Sequence, residues 1–242
     1  MGGRTAHRII PARFLPYAPT LLLLPMATHL DLEEQGQLDQ LKAFWKQYGN
    51  LITWTLILVL AGYSAFNAWQ WWQRDQAANA AAVYDALDRA AGTGDAAAAS
   101  KVFTDLKDRY PRTTYAQQGG LLAAKVAFDK GNLDAARDAL VWVRDQAGDS
   151  AYGSVARLRL AGVLLDQKKY DEALAELAKA KGAAFEALVA DRRGDVLQAQ
   201  GKTDAAKAAY LDARKAIGTT VEYRRLVDAK LTALGVPAEG TL

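Results

Sequence analysis

The sequence predicts an all-α protein: a single N-terminal transmembrane helix followed by an α-solenoid of repeated helix pairs with a C-terminal capping helix. Three observations carry this. Gln47 to Gln73 form 27 consecutive positions without Asp, Glu, Lys or Arg. From Ala77 onward the chain is rich in Ala and Leu at helical spacing, with proline only at Pro111 and Pro237. One segment then recurs in register: Lys130 to Leu140, Gln167 to Leu177 and Gln200 to Tyr210. The two spacings bracket the period of roughly 34 that marks stacked helix-turn-helix units.

The uncharged stretch centres on Leu51 to Trp69. A membrane helix needs about 20 mostly apolar residues at about 1.5 Å each to cross about 30 Å of hydrocarbon. Trp45, Tyr48 and Trp54 lie near one end and Trp69, Trp71 and Trp72 near the other, as two interfacial aromatic belts require. The stretch is longer than a signal-peptide core and its approach is acidic (Asp31, Glu33, Glu34, Asp39), which favours an uncleaved anchor. Lys42 and Lys46 flank it on one side against Arg74 on the other, a bias of one charge toward a cytoplasmic N-terminus. The absence of cysteine agrees with an oxidising compartment but does not require one.

Residues 1–25 contain Arg4, Arg8 and Arg13, no acid, and four of the six prolines. A secretory signal, a functional basic arm and a start assigned too early all fit this composition. The compositional break favours the last, with Met26 as the initiator and 26–50 as a short cytoplasmic arm. Peptides of the native protein should then begin at Met26 or Ala27 by mass spectrometry. A peptide spanning Arg13 to Lys42 would contradict it.

Each repeated position has a physical reading. Gly131 and Gly201 fall where a helix must stop and the chain turn. Asp134, Asp171 and Asp204 open each second helix, where a carboxylate is expected to cap free amides and meet the positive dipole end. Ala136, Ala173 and Ala206 are small enough for two helices to approach closely, and Leu140, Leu177 and Tyr210 fill the space between them. A degenerate copy upstream carries Ala99, Phe103 and a terminating Pro111. Val221 to Leu234 reads as an amphipathic closing helix, with Val221, Leu226, Val227, Leu231 and Leu234 apolar.

Chemistry is scarce. Residues 75–242 contain no His, Cys or Met, and only Ser100, Ser150 and Ser154. The usual general base, metal ligand and nucleophile pairs are therefore missing from the body. Gly148 to Gly153 reads as a turn and helix cap, not a phosphate loop. Asp191 and Asp195 share a helix face, but such pairs are more often a polar surface than an acid–base couple. No enzyme and no cofactor are expected. Six of the 30 Lys+Arg and four of the 27 Asp+Glu precede residue 75, leaving 24 against 23 in the body, so no basic field marks a nucleic-acid site.

What remains is surface. The first helices of stacked pairs line a concave face. The repeat register places Gln118, Leu121, Lys125 and Phe128 there, then Val155, Leu158 and Leu165, then Leu188, Asp191, Asp195 and Gln198. A peptide or partner helix suits such a groove. The apolar members fit the core equally well. If the two aspartates are solvated, reversing both to Lys weakens binding and leaves the melting temperature unchanged.

The repeats resemble tetratricopeptide repeats, although the large aromatic of that family's first helix is missing. Acidic arm, single anchor and helical body together resemble the YfgM family, the ancillary subunits of the SecYEG translocon in Gram-negative inner membranes. Lys181 to Asp195, with its Asp-Arg-Arg-Gly-Asp run, and Leu158 to Ala161 are the local matches. The likeness covers Met26 to about Leu234. It implies a cytoplasmic N-terminus and a periplasmic body at 75–242. It also implies association with the translocon and with a membrane-anchored prolyl-isomerase-like chaperone, and handing on of secreted client polypeptides. In the matched run, Gly194 is expected at a helix crossing and Arg193 in an ion pair with a neighbouring helix. The alternative function is a tethered regulatory or envelope-assembly scaffold that sequesters one specific partner.

Overall fold

The computed structural model describes residues 32–147, 150–217 and 221–237. Residues 1–25, Met26, the expected turn at Gly148–Asp149 and the Val221 side chain lie outside the described part. Helix α1 (Leu32–Gly92) runs from the arm through the apolar stretch and on to the first turn of the body. It contributes to two compact units, residues up to Tyr63 and residues from Ser64 onward. Among the described residues it is the one helix long and apolar enough to cross a membrane. Its apolar side chains are open along the whole stretch, with Leu58 and Trp71 both 70% exposed. A soluble core helix would hide such residues.

The body is a run of antiparallel pairs. α2 (Ala96–Arg109) shares a core with the end of α1, α3 (Thr114–Asp129) pairs with α4 (Leu133–Ala147), and α5 (Ala151–Asp166) pairs with α6 (Tyr170–Ala178). After a short 3-10 turn (Ala183–Phe185), α7 (Glu186–Ala199) pairs with α8 (Thr203–Ala216), and α9 (Val221–Ala233) closes the stack. No strand occurs among the described residues.

One turn is used five times. Gly94, Gly131, Lys168, Gly201 and Gly235 all have positive φ, between 61° and 80°. At each, the N–H of that residue bonds the carbonyl three back, and the next N–H bonds the carbonyl five before it; Gly131→Phe128 (2.8 Å) and Asn132→Ala127 (2.9 Å) are one instance. This is the Schellman stop, which satisfies carbonyls the helix end leaves free. At the first four turns the next residue is already the N-cap of the second helix. Asp95 accepts from the Ala98 N–H at 2.9 Å and Asn132 from that of Ala135 at 3.1 Å. Lys169 and Lys202 hold the same position with no side-chain cap.

The aspartates expected to cap do something else. Asp134, Asp171 and Asp204 sit within the first turn, beyond the cap position, where they still meet the helix dipole. Two of them tie neighbouring pairs together: Gln167 donates to Asp134 at 3.0 Å and Gln200 to Asp171 at 3.2 Å.

Close approach within pairs rests on small residues. Ala136, Ala173 and Ala206 are completely buried, beside Leu140, Leu177 and Tyr210. The facing helices are as spare. A Cβ on Gly119 would lie 2.5 Å from Leu106, while one on Gly120 would overlap Val143 and one on Gly194 the Tyr210 ring. The upstream copy is built likewise, with Ala99 and Phe103 buried and Phe103 edge-on to Trp142. One core runs from Ala80 on α1 to Val196 on α7, and a second joins α7, α8 and α9.

Lys168 is the strained member of the turn series, since a side chain at positive φ crowds its own carbonyl. Lys168→Gly with Lys169→Asn, copying Gly131-Asn132, should stabilise the body by about 1–2 kcal/mol. Urea denaturation followed by circular dichroism measures this; an unchanged midpoint would mean the turn carries no strain.

Candidate partner-binding groove

The first helices α3, α5 and α7, with α9 beyond them, line a groove of about 700 Å³. Their order follows from the repeat: Gln118, Val155 and Leu188 hold the same register position on successive first helices. Of the residues the sequence places here, Lys125, Phe128, Val155, Leu158, Leu188, Asp191 and Asp195 line the groove. Phe128 (41% exposed), Leu188 (40%) and Leu226 (50%) offer open apolar surface. Leu211 on α8, at 38%, is the other exposed large apolar side chain among the described residues of the body.

The other four serve packing within the body. Leu121 is buried in the core and its carbonyl accepts from Arg159 Nη1 at 3.2 Å. Leu165 packs on the same core. The Gln118 amide donates to the Tyr152 hydroxyl at 2.7 Å, from α3 to α5. Gln198 Oε1 lies 2.9 Å from the Tyr210 hydroxyl.

Asp191 and Asp195 overturn the expectation of a solvated stripe. Asp191 is 6% exposed, accepting from the Tyr223 hydroxyl at 3.0 Å and Lys230 Nζ at 2.8 Å. Asp195 accepts from Lys230 at 2.6 Å and from the Tyr210 hydroxyl at 2.8 Å. Lys230 also sits over the Tyr210 ring, 5.3 Å from its centre. These two carboxylates therefore fasten α9 to α7 and form one end of the groove. A cation within hydrogen-bond reach of both relieves their mutual repulsion. Burial, aided by hydrogen bonding to Asp195, pushes the Tyr210 hydroxyl above its ordinary range. Burial and the Asp191 charge do the same to Tyr223. Both hydroxyls stay protonated donors at neutral pH.

Arg193 and Gly194 of the matched run serve packing between helices. Gly194 lies under the Tyr210 ring, and Arg193 pairs with Asp212 of α8 at 2.7 Å. Sequence reading missed Arg159, Arg192, Phe185, Tyr223, Leu226 and Lys230 as groove residues. Signals existed for some. Arg159 and Arg192 share a register position on α5 and α7. Gly235 repeats Gly201 one period further on, which makes α9 a further first helix and turns its inner side to the groove.

The groove offers binding without an evident reacting group. No cluster of three His, Cys, Asp or Glu suited to a metal occurs among the described residues. Lys230→Met should leave two carboxylates facing one another across tyrosine hydroxyls and cost about 2–4 kcal/mol. Reversing both aspartates to Lys should unfold the α7–α9 end for the same reason. The tyrosines add a pH signature. Their folded values lie above the unfolded value near 10, so their contribution is full below about pH 10 and falls as pH rises beyond it. Urea midpoints between about pH 8 and 11 should show that decline, and Tyr210→Phe with Tyr223→Phe should flatten it. Equal slopes in both proteins would contradict the assignment.

Comparison with known proteins agrees with this architecture. A family model described as a tetratricopeptide repeat-like domain matches residues 42–236. A Neisseria gonorrhoeae protein named ancillary SecYEG translocon subunit is 36% identical over 210 residues, 86% of this chain and all of that protein. Proteins of the same name from Haemophilus influenzae (31% over 193 residues, 80% of this chain and 94% of that one) and Escherichia coli K12 (30% over 182 residues, 73% and 85%) are similar as well. The chain belongs to the tetratricopeptide-like YfgM family, whose curated members carry the name ancillary SecYEG translocon subunit.

Proposed function

We propose that this protein is a membrane-anchored, non-catalytic adaptor that works as an ancillary subunit of the SecYEG translocon in the bacterial inner membrane. Residues 51–69 form the anchor, 26–50 a cytoplasmic arm, and 75–242 a periplasmic binding body. The groove takes segments of a membrane-anchored prolyl-isomerase-like chaperone or of secreted polypeptides leaving the channel. The observation that carries this reading is the open apolar trio Phe128, Leu188 and Leu226 on the concave face. The names of the relatives supply the translocon. The Lys42 and Lys46 bias supports the orientation.

Tethering explains how a shallow groove can suffice. An anchor beside the channel holds the groove at high effective concentration near emerging chains, so each contact can be weak and short-lived. Burying one such Leu or Phe contributes about 1.5–3 kcal/mol, enough for capture but not for permanent retention.

Affinity isolation of the full chain from membranes should recover SecYEG subunits. Phe128→Asp with Leu226→Asp should reduce recovery of periplasmic chaperone or secreted chains about tenfold or more. The body should keep its helical content and melting temperature, since both side chains are largely open. A reporter active only outside the cytoplasm, fused after Leu242, should be active. Recovery of one soluble regulatory partner without any translocon subunit would favour the scaffold reading instead.

A further inference from the structure

We infer that residues 36–48 form an amphipathic helix that lies against the lipid surface on the arm's own side of the membrane, bending away from the anchor at Gly49–Asn50. The inference rests on the proposed anchor at 51–69 but adds a second membrane contact to it. Within this segment Leu38, Leu41, Phe44, Trp45 and Tyr48 are all exposed, between 40% and 62%. At 100° per residue they fall within an arc of about 120°, wider than the narrow seam of a two-stranded coiled coil. Gln40, Ala43 and Gln47 occupy the opposite side. Lys42 lies about 40° outside the arc, where its stem can cover apolar surface while its ammonium group reaches phosphates, and Lys46 falls on the polar side with Asp39 and Ala43.

Lipid fits this face better than a second copy of the chain. Three of its five members are aromatic, two of them Trp and Tyr, whose polar atoms suit an interface of hydrocarbon and water. A helix seam favours aliphatic Leu, Ile or Val instead. The anchor begins at Leu51, so the face is never far from the bilayer.

α1 is continuous through Gly49 and Asn50, and the inferred bend would draw on local features there. Gly49 and Asn50 are poor helix formers at adjacent positions. Just beyond them Thr53 Oγ1 donates to the Gly49 carbonyl and Thr55 Oγ1 to that of Leu51, each at 2.8 Å. Hydroxyls that share a carbonyl with the helix ladder weaken it and bend helices. The Trp45 ring covers Gly49, so that a Cβ there would meet the indole at 3.1 Å. A straight helix would instead carry Leu41 about 15 Å beyond Leu51, past the headgroups and into water.

The chain has no cysteine, so single labels report cleanly. Leu41→Cys, Ala43→Cys and Leu58→Cys would each carry a nitroxide in the full-length protein, reconstituted in phosphatidylethanolamine–phosphatidylglycerol vesicles. Power saturation with oxygen and a nickel chelate gives the depth of each. The expected result is Leu58 deep in hydrocarbon, Leu41 at the headgroup–acyl boundary and Ala43 in water. Equal water exposure of Leu41 and Ala43, with Leu58 deep, would overturn the inference and leave the anchor standing. Broadening of the Leu41 signal that disappears on dilution with unlabelled protein would assign the face to a second copy and overturn it too. A water-exposed Leu58 would overturn the anchor itself, and the inference with it.

Discussion

Two helices can approach closely only where one of them gives up its side chain, and several helix contacts in this body are built around such a place. Gly119 admits Leu106 and Leu87, Gly120 admits Val143 and Phe103, and Gly194 lies beneath the Tyr210 ring. The facing Ala136, Ala173 and Ala206 are equally spare. Once the backbones are this near, the turn between them has little freedom. The left-handed residue and its Schellman bonds follow at each of the described turns from a first helix to what succeeds it. Stacking then needs links from pair to pair. Gln118 to Tyr152, Gln167 to Asp134 and Gln200 to Asp171 supply them, with Glu176 bridging Arg144 and Arg157.

A stack must also end. α9 is the last described helix and occupies the place of a first helix, carrying charge at positions where α7 is small. Asp228 stands at the register of Gly194 and Arg224 at that of Ala190; Asp228 lies 3.7 Å from Arg214 of α8 and 3.9 Å from Arg224. Glu222 and Arg225 are exposed on α9, as the polar outer side of a terminal helix requires. Inward, α9 is fixed by Val227 and Leu231, both fully buried, and by Lys230 between Asp191 and Asp195. A buried ionic link adds little net stability over an apolar one, but it can specify a single seating for the helix. The groove depends on that seating, because Tyr223, Leu226 and Lys230 form its far wall.

Much of this was legible in the residues. The period, the small positions and the fillers Leu140, Leu177 and Tyr210 are short-range signals that packing reinforces. Gly194 and Arg193 were readable because a glycine inside a helix calls for a close neighbour and an arginine for a carboxylate. The hidden part was long-range. Lys168 adopts the left-handed turn without being glycine, because the pairs on either side over-determine it. Asp191 looks exposed by its charge and is buried because its partners, Tyr223 and Lys230, come from α9, with the whole of α8 intervening in the chain. Gln118 and Leu121 stand at groove register yet serve the contact between successive first helices. The residues of the second helices were the easier half, since a single apolar stripe decides their facing.

The central claim is that partners enter by the concave face formed by the first helices. Photocrosslinking in intact cells tests it most directly, with a photoreactive residue placed singly at Phe128, Leu188 or Leu226, and at Asp138 or Glu172 on second helices as controls. Adducts to translocon-associated or secreted proteins from the first three positions, and not from the last two, are the predicted result. Adducts of equal strength from Asp138 or Glu172, or adducts from those positions alone, would contradict it.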